Sequence, residues 1–155
     1  MAITTLGANA IGTLAGANMP AGSVIQTVNS TKSGAVSSSD QSSYTDTGLT
    51  ATITPSLSTS KILVHFSQAG CNANNSGTDI DLILVRGSTN IASLAGLMLE
   101  GVTTGNLTLA SHFLDSPSTT SATTYKTQFR IGDDAGTVTV QYYGISVMTL
   151  MEIAQ

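Results

Sequence analysis

Tyr125-Lys126-Thr127-Gln128-Phe129-Arg130-Ile131 alternates a core-forming or β-branched side chain with a charged or amide one at every step. A period of two belongs to a strand with one face in a core and the other in water. The same alternation runs through Leu49, Ala51 and Ile53 against Thr50, Thr52 and Thr54, and Pro55 ends that run because it cannot donate to a ladder. Ile62, Val64 and Phe66 form a further inward set, with Leu63 and His65 on the opposite face. Ile80, Leu82 and Leu84 alternate with Asp81, Ile83 and Val85, and a turn over 87–90 leads to a hairpin partner at Ile91–Leu94.

The remaining segments fit the same scheme. Val24 and Val28 flank a short first strand, and Leu107, Leu109 and Phe113 mark another. Val138, Val140 and Tyr142 precede a last strand built on Ile145, Val147, Met151 and Ile153, after a turn over 132–136. The Ser/Thr-rich stretches 29–47 and 116–124 read as long loops or edge strands, loops being favoured. About seven to nine short strands separated by Gly, Ser, Asn and Asp clusters, with no clear ten-residue helical run, predict an all-β antiparallel sandwich of the jelly-roll kind. Residues 1–22 stand apart: they carry no charge, and Ile3, Leu6, Ala10 and Leu14 recur at helical spacing before the Pro20–Gly22 break. The expected organisation is a short N-terminal arm, 1–22, followed by a β-sandwich knob, 23–155.

Only 9% of the 155 residues are charged and the net charge is −4, against about 25% charged in an average domain. Hydroxyls, amides and glycine must therefore cover the surface. Such a surface is suited to packing against copies of itself or a larger assembly. Lys32, Lys61, Arg86, Lys126 and Arg130 are scattered singly, so no basic patch meets a phosphate backbone and nucleic acid is not an expected partner. No apolar run approaches the roughly 20 residues of a membrane span. Cys71 is alone and reads as a small buried hydrophobe. Synthesis in a host cytoplasm without a secretory signal is expected.

Five blocks in order, GSVIQTV (22–28), LTATITPSLSTSKILV (49–64), LVRGSTNI (84–91), FLDSPSTTSATTYKTQFRI (113–131) and MTLMEIAQ (148–155), resemble a β-sandwich module of tailed-phage virion proteins, of the kind found in phages of cyanobacteria and other aquatic bacteria. The resemblance implies a virion surface protein, usually trimeric, on tail fibres or as projections on the capsid, with no catalytic residues. In fibres the module closes a much longer chain. Here about 22 residues precede it, the layout expected of a capsid decoration or cement protein. The residues also have a local logic. Ser60 and Lys61 read as the polar rim of a strand whose next residues alternate into the core, and Asp115 and Pro117 stand where a strand must stop.

Chemistry-bearing residues are sparse. His65, His112, Asp79, Asp81 and Asp115 could be gathered into a metal site, but no HxH or CxxC spacing supports one. Asp133 and Asp134 read as a solvated turn, not a calcium loop. No G-x-S-x-G is present, and with no Trp a sugar-cleaving site lacks its platforms. No enzyme, cofactor or metal is expected. Tyr142 and Tyr143 form an aromatic pair in which alternation sends one ring inward and one outward, and Tyr143 or Tyr44 could meet a sugar. Leu94–Leu99 reads as core or a subunit contact. Assembly is expected to rest on Ile3, Leu6, Ile11 and Leu14 of the arm, with a homotrimer bound to the major capsid protein or other virion proteins. The alternative is a tail-fibre or receptor-binding tip that recognises a host glycan.

Overall fold

The computed structural model describes residues 16–75, 77–98, 106–132 and 136–155, without the side chains of 17 and 95–98. Ten strands lie among them: β1 (Val24–Lys32), β2 (Val36–Ser38), β3 (Thr45–Ile53), β4 (Lys61–Ala73), β5 (Asp79–Arg86), β6 (Thr89–Met98), β7 (Leu107–Asp115), β8 (Thr123–Ile131), β9 (Val138–Val140) and β10 (Ser146–Ile153). Every pairing is antiparallel.

The eight long strands make two four-stranded layers, β1-β10-β4-β7 and β3-β8-β5-β6. Successive strands mostly change layer: β3 leaves the first sheet, β4 returns, β5 and β6 form a hairpin in the second, β7 returns, and β8 and β10 fill the centres. That double Greek-key wiring is a jelly roll. β4 is long enough to serve two neighbours on one edge: Lys61–Ser67 pair with β10, and Asn72 and Ala73 pair with β9, which carries β2 outside it.

The alternation read from the sequence sets the layers facing. Leu49, Ala51, Ile53, Ile62, Val64, Phe66, Ile80, Leu82, Leu84, Tyr125, Phe129 and Ile131 all lie in one continuous core with Met148 and Leu150. Cys71 is buried there, and burial pushes its thiol up to about 11, as a small hydrophobe in an apolar setting should behave. The β5–β6 hairpin turns on Gly87–Ser88 alone, with Gly87 at φ +60°, the left-handed first position that a type II′ turn gives to glycine. β7 stops at Asp115, two residues before Pro117.

Several boundaries differ from the sequence reading. The first strand is nine residues long, and the stretch 29–47 contributes the end of β1, all of β2 and the start of β3 instead of one long loop. Thr and Ser there pair across strands, as in Ser37–Thr139 at 2.8 Å, which is why a run that reads as linker holds strand conformation. Residues 116–122 are outside the strands. Ser60 is buried, not a rim residue. The largest departure is in β10. Its inward set is Ser146, Met148, Leu150 and Glu152, while Val147, Met151 and Ile153 face outward. The arm residues Ile3, Leu6, Ile11 and Leu14 lie outside the described residues, as do Asp133, Asp134, Leu99 and the side chains of 95–98. Residues 16–22 lie against the sandwich: Gly16 approaches Ile25 and Ser56, and the Gly22 amide donates to Ala154 O at 2.8 Å.

Candidate functional site

Two surface features stand out from the frame, and neither is a cleft lined with catalytic groups. The first is the outer face of the β1-β10-β4-β7 sheet. Register places its side chains in rows across the strands: Val24, Ile153 and Lys61; Thr27, Met151, Leu63 and Leu114; Asn29, Thr149, His65 and His112; Thr31, Val147, Ser67 and Ala110. Lys61 is the one charged side chain in these rows. No carboxylate points out from them, because Glu152 and Asp115, the acids of β10 and β7, both turn inward.

The opposite layer has the reverse character. Its outer face carries Lys126 paired with Asp46 at 2.8 Å and Arg130 paired with Asp81 at 3.1 Å. Gln128 also donates to Asp46, and Arg130 lies 4.8 Å from the Tyr44 ring centroid. Ion pairs of this kind are a solvated surface. Among the described residues the two broad faces therefore differ: one carries these ion pairs, and the other is nearly free of charge and includes half-buried and exposed Met151, Ile153, Leu63, Leu114 and Val24. A row of outward aliphatic groups on a central strand is uncommon on an isolated antiparallel sandwich, whose outer faces are polar.

The second feature is the β9–β10 turn. Gln141 and Tyr143 both take φ near +57°, at 56° and 58°, a conformation that costs a non-glycine residue on the order of 1–2 kcal/mol. The turn is clamped to the bulge in β4: the Gln141 amide donates to Ala69 O at 2.8 Å and the Tyr142 amide to Gly70 O at 3.1 Å. Gly70 is itself at φ +60°, and a Cβ there would strike the Tyr142 backbone. These two left-handed residues break the pleat, so the expected inward–outward split of Tyr142 and Tyr143 does not occur. Both rings reach the surface with centroids 4.3 Å apart and planes tilted by 54°, and Tyr143 is 88% exposed. With Ile145 and Ser33–Ala35 they border an open cleft of about 460 Å³.

The residues weighed for metal or catalysis are dispersed. His65 and His112 are directly paired across β4 and β7 on the uncharged face. Asp81 serves Arg130 on the other sheet, and Asp115 lies inside, holding Arg86 and the Tyr125 hydroxyl. Among the described residues, no group of three or more His, Cys, Asp or Glu could hold an ion. No described helix is long and apolar enough to cross a membrane.

Buried polar groups that the sequence reading did not single out tie strands and loops together, and one bond, Thr127 Oγ1 to Gln68 Oε1 at 3.0 Å, crosses between the layers. Glu152 is fully buried and accepts hydrogen bonds from Gln26 Nε2 at 2.6 Å, the Ser56 amide at 2.7 Å and the Leu57 amide at 3.3 Å. Burial alone would raise its pKa, but the Gln26 and backbone donors outweigh it and hold the carboxyl below its ordinary value. A second chain runs from Thr47 through Thr127 and Gln68 to Ser146. An acid or amide at an inward parity position of an otherwise apolar strand, such as Glu152 beside Leu150, was the available signal.

No family model matches the chain, and no curated protein does. Solved structures do. A structure of infectious bursal disease virus, Gt strain, superposes with a TM-score of 0.51 at 11% identity over 86% of this chain and 39% of that one. The Gx strain gives 0.50 at 11% identity over 84% and 33%. The D431N VP2 protein of the same virus, in derived T=1 particles, gives 0.50 at 12% identity over 86% and 37%. The chain thus spans between a third and two fifths of the length of these virus-particle proteins. At this identity the likeness is one of fold alone.

Proposed function

We propose that the chain is a structural protein of a tailed-phage particle, a decoration or cement protein whose sandwich forms a trimeric knob on the head. The observation that carries this reading is the segregation of charge, which leaves one broad sheet face with a single lysine and no carboxylate. Faces depleted of charge are what subunit interfaces require. The fold shared with proteins of another virus's particles supports the structural role. The mechanism is mechanical. Apolar arm residues and sheet faces buried between neighbours add association energy to adjoining capsid subunits, so the shell withstands a higher internal pressure.

In this reading Ile3, Leu6, Ile11 and Leu14 attach the knob to the major capsid protein. Each such side chain contributes about 1.5–3 kcal/mol when buried, offset in part by ordering the segment, so three arms per trimer must act together. The test is particle occupancy. Changing Leu6 and Leu14 to Ser should strip the protein from heated virions while the circular dichroism of the free protein is unchanged. Full occupancy of that variant would refute the arm as anchor. Copy number decides the location: hundreds per particle for a decoration protein, tens or fewer for a fibre.

A second reading, a fibre or receptor-binding tip for a host glycan, is favoured by one observation, the clamped turn that presents Tyr142 and Tyr143. Paired exposed rings on a rigid backbone are a stacking platform for a sugar face. Glycan-array binding that disappears in Tyr143→Gly would favour this reading, and an array without hits would remove its support.

A further inference from the structure

We infer that the cleft at the Arg86 end of the sandwich binds an acidic sugar, a hexuronate residue, through the edge of the Arg86 guanidinium that Asp115 leaves open. The inference holds for either location on the particle. It also concerns the end of the sandwich opposite the Tyr142–Tyr143 turn. Asp115 pairs with Ile62 at the start of β4, whereas that turn is clamped at Ala69 and Gly70, about 24 Å along the strand at about 3.4 Å per residue.

The cleft, about 310 Å³, lies between the β5–β6 turn and the loop that follows β7, and is lined by Arg86, Gly87, Pro117, Thr119, Thr123 and Thr124 among others. Small-ligand sites run from about 300 to 1,000 Å³, so this one suits a single sugar residue. Ser118, between two of the lining residues, stands at φ +53°. A non-glycine residue disfavours that conformation, and such outliers concentrate at ligand sites. A Cβ at Gly87 would meet nothing within 4 Å, so the hairpin turn leaves the mouth open.

Arg86 reaches both Asp115 oxygens with Nη1 alone, at 2.9 Å and 2.8 Å. Its Nε–Nη2 edge takes no part in that pair and donates to no described residue, and the side chain is 32% exposed. Two parallel N–H groups on one edge of a planar guanidinium match the two oxygens of a carboxylate. No acidic residue lines the cleft to compete, because Asp115 is buried and held by Arg86 and the Tyr125 hydroxyl. Asp115 already balances the arginine, so a singly charged ligand is better matched than a doubly charged phosphate.

The threonines select a sugar over an acidic amino-acid side chain. Thr119 Oγ1 accepts from the Ser121 amide at 3.0 Å, which leaves its O–H to donate. The Thr123 hydroxyl donates to Ser121 O at 3.0 Å, which leaves its lone pairs to accept. A ligand that uses both must carry donors as well as acceptors. Ring hydroxyls supply both, whereas an aspartate or glutamate side chain supplies acceptors only.

NMR titration of the nitrogen-15-labelled full chain with sodium glucuronate tests this. The Arg86 Nε–H signal and the Gly87 and Thr119 amides should move saturably, with a dissociation constant of about a millimolar. Glucose, which lacks the carboxylate, and glutamate, which lacks the ring hydroxyls, should each bind at least about tenfold more weakly. Ala122→Glu, at an exposed position lining the cleft, sets a carboxylate against the ligand and should weaken glucuronate by about tenfold with an unchanged melting curve. Arg86→Lys keeps the charge, loses the fork and should weaken it similarly; Ala122→Glu decides alone if that variant fails to fold. Tyr143→Gly should leave glucuronate binding unchanged, which separates this site from the aromatic platform. Glutamate binding as tightly as glucuronate would assign the cleft to a protein carboxylate and overturn the sugar. The absence of a saturable shift, or one that Ala122→Glu leaves intact, would overturn the site itself while leaving the structural role untouched.

Discussion

Arg86 Nη1 lies 2.9 Å and 2.8 Å from the two carboxylate oxygens of Asp115, joining β5 of one sheet to the end of β7 in the other. The Tyr125 hydroxyl donates to the same carboxylate at 2.7 Å. Burial, and then the Asp115 carboxylate it serves, push the Tyr125 phenol pKa well up, so the hydroxyl remains a donor throughout the working pH range. The three side chains tie the two sheets together at one end of the sandwich.

Asp115→Ala should cost about 2–3 kcal/mol, because it leaves a half-buried guanidinium and a buried phenol without their acceptor. Urea unfolding of Asp115→Ala, Tyr125→Phe and the double variant would read this. A coupling between the two sites near zero would show that the phenol and the carboxylate act independently.

Glu152 predicts an acid limb to the stability curve. Its folded pKa is depressed, so its contribution is present above the unfolded value, about 4.3, and is lost as pH falls through the lower folded value. Wild-type melting temperature should fall below about pH 4, and Glu152→Gln should flatten that fall. At neutral pH the variant should already be less stable, since an amide NH₂ would face the amides of Ser56 and Leu57 or the Gln26 donor. Parallel acid limbs in the two proteins would assign the effect to other carboxylates.

Thr127→Val removes the middle of the Thr47–Thr127–Gln68 chain and keeps the side-chain shape. Gln68 Oε1 loses the Thr127 donor and Thr47 Oγ1 loses its hydroxyl partner, both in fully buried surroundings. The expected loss is about 1–3 kcal/mol. A change smaller than about 0.5 kcal/mol would mean that water or a rotamer shift replaces the bond.

Gly70→Ala should be among the more damaging single changes, about 2 kcal/mol or more, because the left-handed φ and the clash with Tyr142 backbone act together. Tyr143→Gly should stay within about 1 kcal/mol of wild type, since relief of its positive φ offsets the flexibility that glycine adds. Thermal melts of the two variants should diverge accordingly, and equal losses would remove the argument for a strained, clamped turn.

Much of the fold was legible in residue order. Strands with one wet and one dry face write their parity in the chain, so Leu49–Ile53, Ile62–Phe66 and Tyr125–Ile131 could be assigned inward by alternation alone, whereas in β5 Ile83 and Val85 of the opposite parity are buried as well. β10 could not. Both of its parities carry aliphatic groups, and the more hydrophobic-looking set, Val147, Met151 and Ile153, turned out to face away from the core. Tyr142 and Tyr143 failed for another reason: alternation holds only while the backbone stays pleated, and two left-handed residues interrupt it.

The sequence by itself determined that the chain is a low-charge antiparallel sandwich, because period two and turn chemistry are local properties. The tertiary structure decided which side of β10 is buried, that Glu152 turns inward, and that His65 meets His112. Those outcomes depend on register between strands distant in sequence. In such pairings a side chain's environment comes from partners that no local pattern names.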